Sequence, residues 1–353
     1  MKLTKWILVI LLPIQLVFVK WCKSNTDWVE IYYSTNVYPK ISSGLRYLLG
    51  KIPFSIGDII YVIILFLIIR GLIKTIKNPK KLFAQNAIKF LSLVSFVYLI
   101  FHVLWGLNYY RNPLHQVLNI DHQYSTKELE KVTYHLLEKS NHLHFYLTKN
   151  DSIPVEIPYN KKEIFNKTIS AYKHLNQEFT GIKYENISIK KSLISLPLTY
   201  MGFGGYINPF TNEAQVNSKI IKYKFPVTSC HEQAHQIGFA KENEANFIGA
   251  MACISSKDEY FKYSGYTFAL RYCFHELYRR DPEKAICVLE KINPGIQENY
   301  RELRAFWAAH ENPIEVVFKK FYGGYLKVNN QAGGLKSYNY VVALLVNYYK
   351  DKI

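Results

Sequence analysis

The stretch His231-Glu232-Gln233-Ala234-His235 is the point from which the rest of the chain is interpreted. Residues i and i+4 of a helix lie on one face about one turn apart, so both imidazoles can bind one metal ion. Pro226 suits the first turn of such a helix, and Thr228 or Ser229 is a candidate N-cap. Gly238 predicts the end of the helix. The stretch therefore predicts a short helix that carries two metal ligands.

The spacing of these residues favours zinc. Zinc accepts nitrogen ligands in tetrahedral geometry, and a catalytic zinc site has three protein ligands and one water. The metal lowers the pKa of that water, and a nearby carboxylate takes its proton as it attacks a carbonyl. Glu232 follows the first ligand directly and suits the role of general base. We therefore expect Zn2+ bound by His231 and His235, with Glu232 as the catalytic residue.

A third ligand is expected just beyond the glycine, in the segment that runs from Glu242 to Asn246. Glu242 and Asn246 are i and i+4 and share a helix face, whereas Glu244 lies roughly 200° round the helix from Glu242. An asparagine one turn after a ligand can hold a histidine ring through its second nitrogen. This pairing favours Glu242 as the ligand and Asn246 as the residue behind it, and Glu244 is the alternative ligand.

The first third of the chain contains three apolar runs that predict transmembrane helices at about residues 6-22, 55-73 and 90-108. The loop between the second and third runs has six basic residues and no acidic one: Arg70, Lys74, Lys77, Lys80, Lys81 and Lys89. Loops this basic stay in the cytoplasm. A chain that starts in the cytoplasm and crosses the membrane three times has everything after Tyr109 outside the membrane. In a bacterium with two membranes this compartment is the periplasm. Residues 1-111 are therefore predicted to be a membrane anchor, and residues 112-353 the catalytic domain.

The formal charge of +17 raises the question of a nucleic-acid partner. Residues 1–111 have 14 basic and 3 acidic side chains, a net charge of +11, and the other 242 residues have a net charge of only +6. Most of the excess therefore flanks apolar runs, where positive charge reports membrane topology. The partner predicted from charge is the lipid bilayer, and no nucleic acid is expected.

The remainder of the chain predicts helices in some segments and strands in others. Ser125-Thr126-Lys127-Glu128 is a capping-box pattern that opens a helix, and a second helix is expected near Lys161 to Phe179. Residues 183–220 are interpreted as strands and turns, and everything after Pro226 as helices with short loops. The fold class is therefore α+β, with an α/β part followed by a helical part.

Several segments of this chain resemble known families. His231 to Asn246 resembles the gluzincin arrangement, HExxH followed by ExxxD, with Asn246 in place of the usual Asp. Other segments together resemble a bacterial membrane family catalogued as domain of unknown function 3810: Trp105 to Arg111, Gly204 to Thr211, Glu213 to Asn217, Tyr325 to Lys327 and Ser337-Tyr338. The resemblance implies a zincin-like metallopeptidase domain after the transmembrane helices. It implies no particular substrate, since none is established for the family.

Two further groups of residues are candidates for contact with substrate. In zincins an edge strand beside the metal helix binds the peptide as an added strand, and Gly204, Gly205 and Tyr206 allow close backbone approach. The alternative is a structural turn with a packed aromatic ring. Among the later helices, Tyr263, Tyr266 and His275 are candidate oxyanion donors, although a core or surface position is the expectation for each.

Three functions are consistent with these observations. The first is a membrane-anchored zinc metallopeptidase that hydrolyses a peptide or protein substrate outside the bacterial cytoplasmic membrane. The second is an inactive zincin fold that acts as a binding or scaffolding module, against which the intact Glu232 argues. The third is an intramembrane protease, which is disfavoured because Lys222, Lys224 and Lys241 surround the motif. We expect the first.

Overall fold

The computed structural model describes residues 2–77, 83–331 and 340–353. Within these ranges the chain is mostly helical and has one small sheet. The helices are α1 (Lys2–Ser24), α2 (Thr26–Trp28), α3 (Tyr38–Leu49), α4 (Ile56–Lys77), α5 (Phe83–Leu104), α6 (Leu114–Val117), α7 (Thr126–Thr148), α8 (Lys161–Glu178), α9 (Ser195–Tyr200), α10 (Phe225–Gln236), α11 (Glu242–Ile254), α12 (Glu259–Arg280), α13 (Pro282–Leu289), α14 (Pro294–Ala308), α15 (Pro313–Val328) and α16 (Val341–Tyr349). A π-helix (Val29–Val37) joins α2 to α3, and 3₁₀ turns occupy Gly106–Tyr110 and Lys222–Lys224. Lys80, Lys81 and Ser337-Tyr338 lie outside the described residues.

Three helices are long and apolar enough to cross a membrane: Thr4–Ser24, Ile56–Lys74 and Ala87–Leu104. They coincide with the three predicted runs, but the third ends at Leu104 and does not reach residue 108. Trp105 leaves the helix with a φ of −159°. Its indole N–H donates a hydrogen bond to the His235 carbonyl, 3.0 Å away, so the chain turns toward α10 at this point.

The remainder of the chain confirms the α+β class. The capping box at Ser125 and Glu128 is formed at the start of α7, and an equivalent box at Asn160 and Glu163 opens α8. The predicted helix near residues 161–179 is therefore present. After residue 226 the described chain is helical with short connections, as expected.

The sheet has three strands, β1 (Ile189–Lys191), β2 (Gly205–Asn208) and β3 (Glu213–Val216), in the order β1-β3-β2. β1 is parallel to β3, and β2 is antiparallel to β3. The interpretation of residues 183–220 as strands and turns missed α9. The buried residues of α9 are Ser195, Leu198 and Thr199, which have the helical spacing i, i+3, i+4, but the segment is too short for this period to stand out.

α10 and α11 cross closely at the centre of the main hydrophobic core. A Cβ atom on Gly249 of α11 would lie 2.7 Å from the His231 backbone nitrogen, so the crossing requires glycine there. The predicted N-cap of α10 is wrong, because the helix begins at Phe225. The hydroxyls of Thr228 and Ser229 lie inside the helix and donate to the carbonyls of Lys224 and Phe225.

The predicted anchor packs against the rest of the chain through polar contacts. Glu213 of β3 accepts hydrogen bonds from the backbone N–H groups of Ile56 and Gly57, at 3.2 and 2.6 Å, and so caps the start of α4. The same carboxylate pairs with Lys190 of β1, and both side chains are buried. Contacts therefore extend across the predicted boundary between residues 111 and 112, and the division into two domains stays a prediction.

The close crossing of α10 and α11 gives a first test. Gly249→Ala should lower the free energy of unfolding by about 1–3 kcal/mol, because the added methyl group contacts backbone that cannot move aside. The midpoint of thermal unfolding of the full chain in detergent measures this effect. Gly324→Ala in α15 is the matched control, since no atom lies within 4 Å of the added methyl group. An unchanged midpoint in Gly249→Ala would contradict the close crossing.

Candidate metal centre

α10 places His231 and His235 one turn apart on the wall of a cavity of about 760 Å³. Their ring centroids are 4.7 Å apart and the rings are nearly perpendicular, at 84°. Glu232 and Glu242 line the same cavity. The structure therefore brings the four predicted site residues together.

Glu242 is the first residue of α11, and its carboxylate faces both imidazoles. One oxygen lies 3.3 Å from His231 Nε2, and the other lies 3.7 Å from His235 Nε2. The hydroxyl of Tyr322, from α15, donates a hydrogen bond of 2.6 Å to Glu242 Oε1. A carboxylate held between two histidines in this way is in a position to complete a three-ligand site.

Glu244, the alternative ligand, contacts a different part of the molecule. Its Oε1 accepts a hydrogen bond of 3.0 Å from the Leu114 backbone N–H and lies 3.5 Å from Lys241 Nζ. It is buried but does not line the cavity. This geometry supports Glu242 over Glu244, although the ligand assignment stays a prediction.

The second nitrogen of each histidine has a different environment. His235 Nδ1 lies 2.7 Å from the Phe239 carbonyl, and because a carbonyl only accepts, Nδ1 is the protonated nitrogen. The lone pair of a neutral His235 is then on Nε2, the atom that faces Glu242. Among the described residues, neither His231 Nδ1 nor Asn246 Nδ2 has a hydrogen-bond partner. Asn246 lines the cavity, but its predicted contact with a histidine ring stays a prediction.

The donor set fits zinc. Ligand atoms of His231, Glu232 and His235 all lie within 4.8 Å of one another, which would make Glu232 a third ligand. We favour Glu242 because each of its oxygens faces one Nε2 atom, whereas Glu232 approaches the backbone of β2. Two imidazole nitrogens and one carboxylate are a ligand set of catalytic zinc sites, which keep a position open for water.

Glu232 is buried against the edge of the sheet. Its Oε2 has no hydrogen-bond partner among the described residues, and a Cβ atom on Gly205 would lie 2.5 Å from its Oε1. Burial raises the pKa of Glu232 to about 8, and the negative charge of Glu242 adds to this effect while His235 opposes it. Glycine at position 205 is therefore what leaves room for this carboxylate.

The pKa values of His231, His235 and Glu242 depend on burial and on the contacts among these three residues. Burial disfavours the charged form of His235. The nearby Glu242 carboxylate favours that form more strongly and raises the pKa of His235 to about 8. Burial lowers the pKa of His231. Burial disfavours the charged form of Glu242 as well, yet the two histidines hold its pKa well below the usual range. Glu242 is therefore the carboxylate of this cluster that stays ionised.

The predicted substrate-binding residues have two different environments. Gly204 and Gly205 line the cavity at the start of β2, which is the edge strand of the sheet. Tyr206 lines the cavity too, but its hydroxyl donates a hydrogen bond to Asp58 of α4 and its ring stacks on Tyr61, with centroids 6.0 Å apart. Tyr206 is therefore a contact between the sheet and α4.

The sequence placed neither of two further residues at the candidate metal centre. Tyr322 contacts Glu242, and the Trp105 indole contacts the carbonyl of His235. Trp105 begins one segment that carries the family resemblance and Tyr322 lies just before another, but no local pattern places either residue at this site. The candidate oxyanion donors Tyr263, Tyr266 and His275 do not line the cavity, and the Tyr263 hydroxyl donates to Asn299 instead. Lys224 and Arg271 are the basic side chains that line it.

The fold and the site define an α+β protein with three long apolar helices and a histidine–glutamate cluster inside a cavity. A family model described as "Protein of unknown function (DUF3810)" matches residues 33–346, and the chain belongs to this family. The match confirms the predicted resemblance to this family of unknown function. No curated protein and no solved structure matches the chain.

The choice between the two glutamates can be tested by metal binding. Glu242→Ala should weaken zinc binding by more than about 100-fold, because loss of a group behind a ligand already costs on the order of 10–100-fold. Glu244→Ala should bind zinc as the unmodified chain does. Competition with a chromogenic chelator measures both affinities on the purified full chain. A larger loss in Glu244→Ala, with the thermal unfolding midpoint retained, would reverse the assignment.

Proposed function

We propose that this protein is a membrane-anchored, zinc-dependent metallopeptidase of the zincin type. The observation that carries the proposal is the placement of Glu242 between the Nε2 atoms of His231 and His235, with the buried Glu232 beside them. A ligand pair at i and i+4, a carboxylate from the next helix and a second carboxylate without a partner are the parts that such an enzyme needs.

Each residue of the site has its own role in the proposed peptide hydrolysis. His231, His235 and Glu242 would hold the zinc ion, which supplies Lewis-acid polarisation of a carbonyl and lowers the pKa of a coordinated water. Glu232 accepts the proton of the attacking water and passes it to the leaving amine. Its unpartnered Oε2 is the atom available for this transfer. Tyr322 and the Phe239 carbonyl hold Glu242 and His235 in position.

We propose that a peptide substrate binds along β2, the edge strand of the sheet. β2 pairs only with β3 among the described strands, so its other edge is available to an added strand. Gly204 and Gly205 at its start line the cavity beside Glu232. An extended peptide on this edge has its backbone close to the general base, and this favours a peptide over a compact small molecule as the substrate.

An inactive binding or scaffolding module is the second candidate function. Such a module has no use for a buried carboxylate without a partner, because burial of an unpaired polar group destabilises the fold. Glu232 is such a group. The presence of Glu232 at this position supports the enzyme.

Substitution of Glu232 separates these two functions. Glu232→Gln should keep zinc and the fold but lower turnover by about 10²–10⁴-fold, since only proton transfer is removed. Turnover is measured on the full chain with a mixed-sequence peptide library that contains a fluorescent donor and a quencher, with and without a chelator.

Glu244→Gln is the matched control, because Glu244 is a buried glutamate of α11 outside the cavity. It should turn over the library as the unmodified chain does. A library cleaved equally well by Glu232→Gln would exclude Glu232 as the base.

We also propose that the protein crosses the bacterial cytoplasmic membrane three times, with its site on the outer side. The support is the set of three long apolar helices and the basic residues between the second and the third. A reporter enzyme that is active only outside the membrane, fused after Ile353, should be active. Activity of a reporter that works only in the cytoplasm, fused at the same residue, would contradict this topology.

A further inference from the structure

α15 (Pro313–Val328) exposes an unusual amount of apolar surface. Five of its large apolar side chains are between 60% and 80% exposed: Ile314, Val316, Val317, Phe321 and Val328. Clusters of exposed apolar side chains on a folded protein mark a surface that contacts a membrane or another protein.

The same helix forms part of the cavity wall. Phe318, Phe321, Tyr322 and Tyr325 line the cavity, and Tyr322 contacts Glu242. Phe321 belongs to this wall and is also 78% exposed, so the apolar surface of α15 begins at the cavity. The exposed apolar residues outside the cavity form the outward face of α15: Ile314, Val316, Val317 and Val328.

α15 lies between the ends of two of the long apolar helices. Its C-terminal part contacts α5, since the rings of Tyr325 and Phe101 have centroids 6.4 Å apart. At its other end, the Asn312 side chain donates a hydrogen bond of 2.7 Å to the Tyr200 carbonyl at the end of α9. The segment just before α9 is in turn bound to α4, because Leu193 N–H donates to Asp58 over 2.7 Å.

The elements connected to α15 expose apolar side chains as well. Leu193, Leu196 and Tyr200 are exposed in and just before α9, and α4 exposes Val62 and Phe66. α4 and α5 also contribute Tyr61, Phe101 and Trp105 to the cavity wall. The cavity is thus built at the level where the apolar helices join the rest of the chain.

The charges on α15 distinguish a bilayer from a protein partner. Lys319, Lys320 and Lys327 are exposed on a helix that presents apolar residues as well. Long basic side chains beside an apolar face are the pattern of a helix in the interface of a membrane, where lysines reach the headgroups. The exposed apolar side chains of α4, which is long and apolar enough to cross a membrane, point to the same occupant.

We propose that the outward face of α15 lies in the bilayer interface and that the cavity consequently opens at the membrane surface. The substrate is then the membrane-proximal segment of a membrane-anchored polypeptide. This substrate class rests on the peptidase function proposed above, whereas the placement of α15 in the interface does not.

The placement of α15 is tested with the full chain in nanodiscs of phosphatidylethanolamine and phosphatidylglycerol. The exposed Cys287 is first replaced by Ser, and Val317→Cys, on the outward face and outside the cavity, is then labelled with an environment-sensitive fluorophore. Lipids with a spin label near the headgroup should quench this label several-fold more than a label at Tyr278→Cys. Tyr278, in α12, is 53% exposed and serves as the matched control. Equal quenching at the two positions would overturn the placement.

The substrate class is tested with a mixed-sequence donor–quencher peptide, with or without a palmitoyl chain, in vesicles of the same lipids. The unmodified chain should cleave the palmitoylated peptide several-fold faster. Val317→Asp, on the outward face and outside the cavity, should remove this preference and leave cleavage of the free peptide unchanged. Equal cleavage of both peptides would overturn the substrate class. Cleavage of neither by the zinc-loaded chain would overturn the peptidase function, and the quenching experiment would still decide the placement of α15.

Discussion

The carboxyl end of α10 is the point on which the rest of the structure depends. The last carbonyl groups of a helix have no partner within it. Here Trp105 donates to the His235 carbonyl at 3.0 Å, and Tyr38 donates to the Gln236 carbonyl at 2.7 Å. Arg111 donates to the Gly238 carbonyl at 3.2 Å. Each of these buried bonds contributes on the order of 1 kcal/mol and costs more when it is broken. All three donors come from the predicted anchor, so α10, which carries His231 and His235, is held by the apolar helices and their connections.

A second set of polar contacts holds the sheet to α4 and so fixes the other wall of the site. Glu213 caps the start of α4, and Asp58 accepts hydrogen bonds from Tyr206 and the Leu193 backbone. These contacts set the position of β2, whose Gly205 lies against Glu232. The general-base candidate therefore depends on the anchor through the sheet, just as His235 does through α10. A fragment that begins at residue 112 lacks both sets of partners.

The sequence could predict those parts of the structure that depend on local spacing. The i, i+4 relation of His231 and His235, and of Glu242 and Asn246, places each pair on one helix face without knowledge of the fold. The capping box at Ser125 is equally local. Tyr322, by contrast, is 80 residues from the carboxylate that it contacts, and Trp105 is 130 residues from His235. Such contacts follow from how the elements pack in space, and no periodicity encodes them. α9 was missed for another reason, since six residues are too few for a helical period to be distinguished.

The two carboxylates of the site show how the fold can give one residue type two roles. Both imidazoles face Glu242 and the Tyr322 hydroxyl donates a hydrogen bond to it, and these contacts favour its ionised form. Glu232 is equally buried but faces the backbone of Gly205, and its Oε2 has no donor within the described residues. Burial without a donor favours the form that holds a proton. When environments separate the pKa values of two neighbouring acids, the ionised one suits ligation, and one whose pKa lies near neutrality can both accept and release a proton. What each carboxylate contacts therefore supports the proposed assignment of Glu242 as ligand and Glu232 as base.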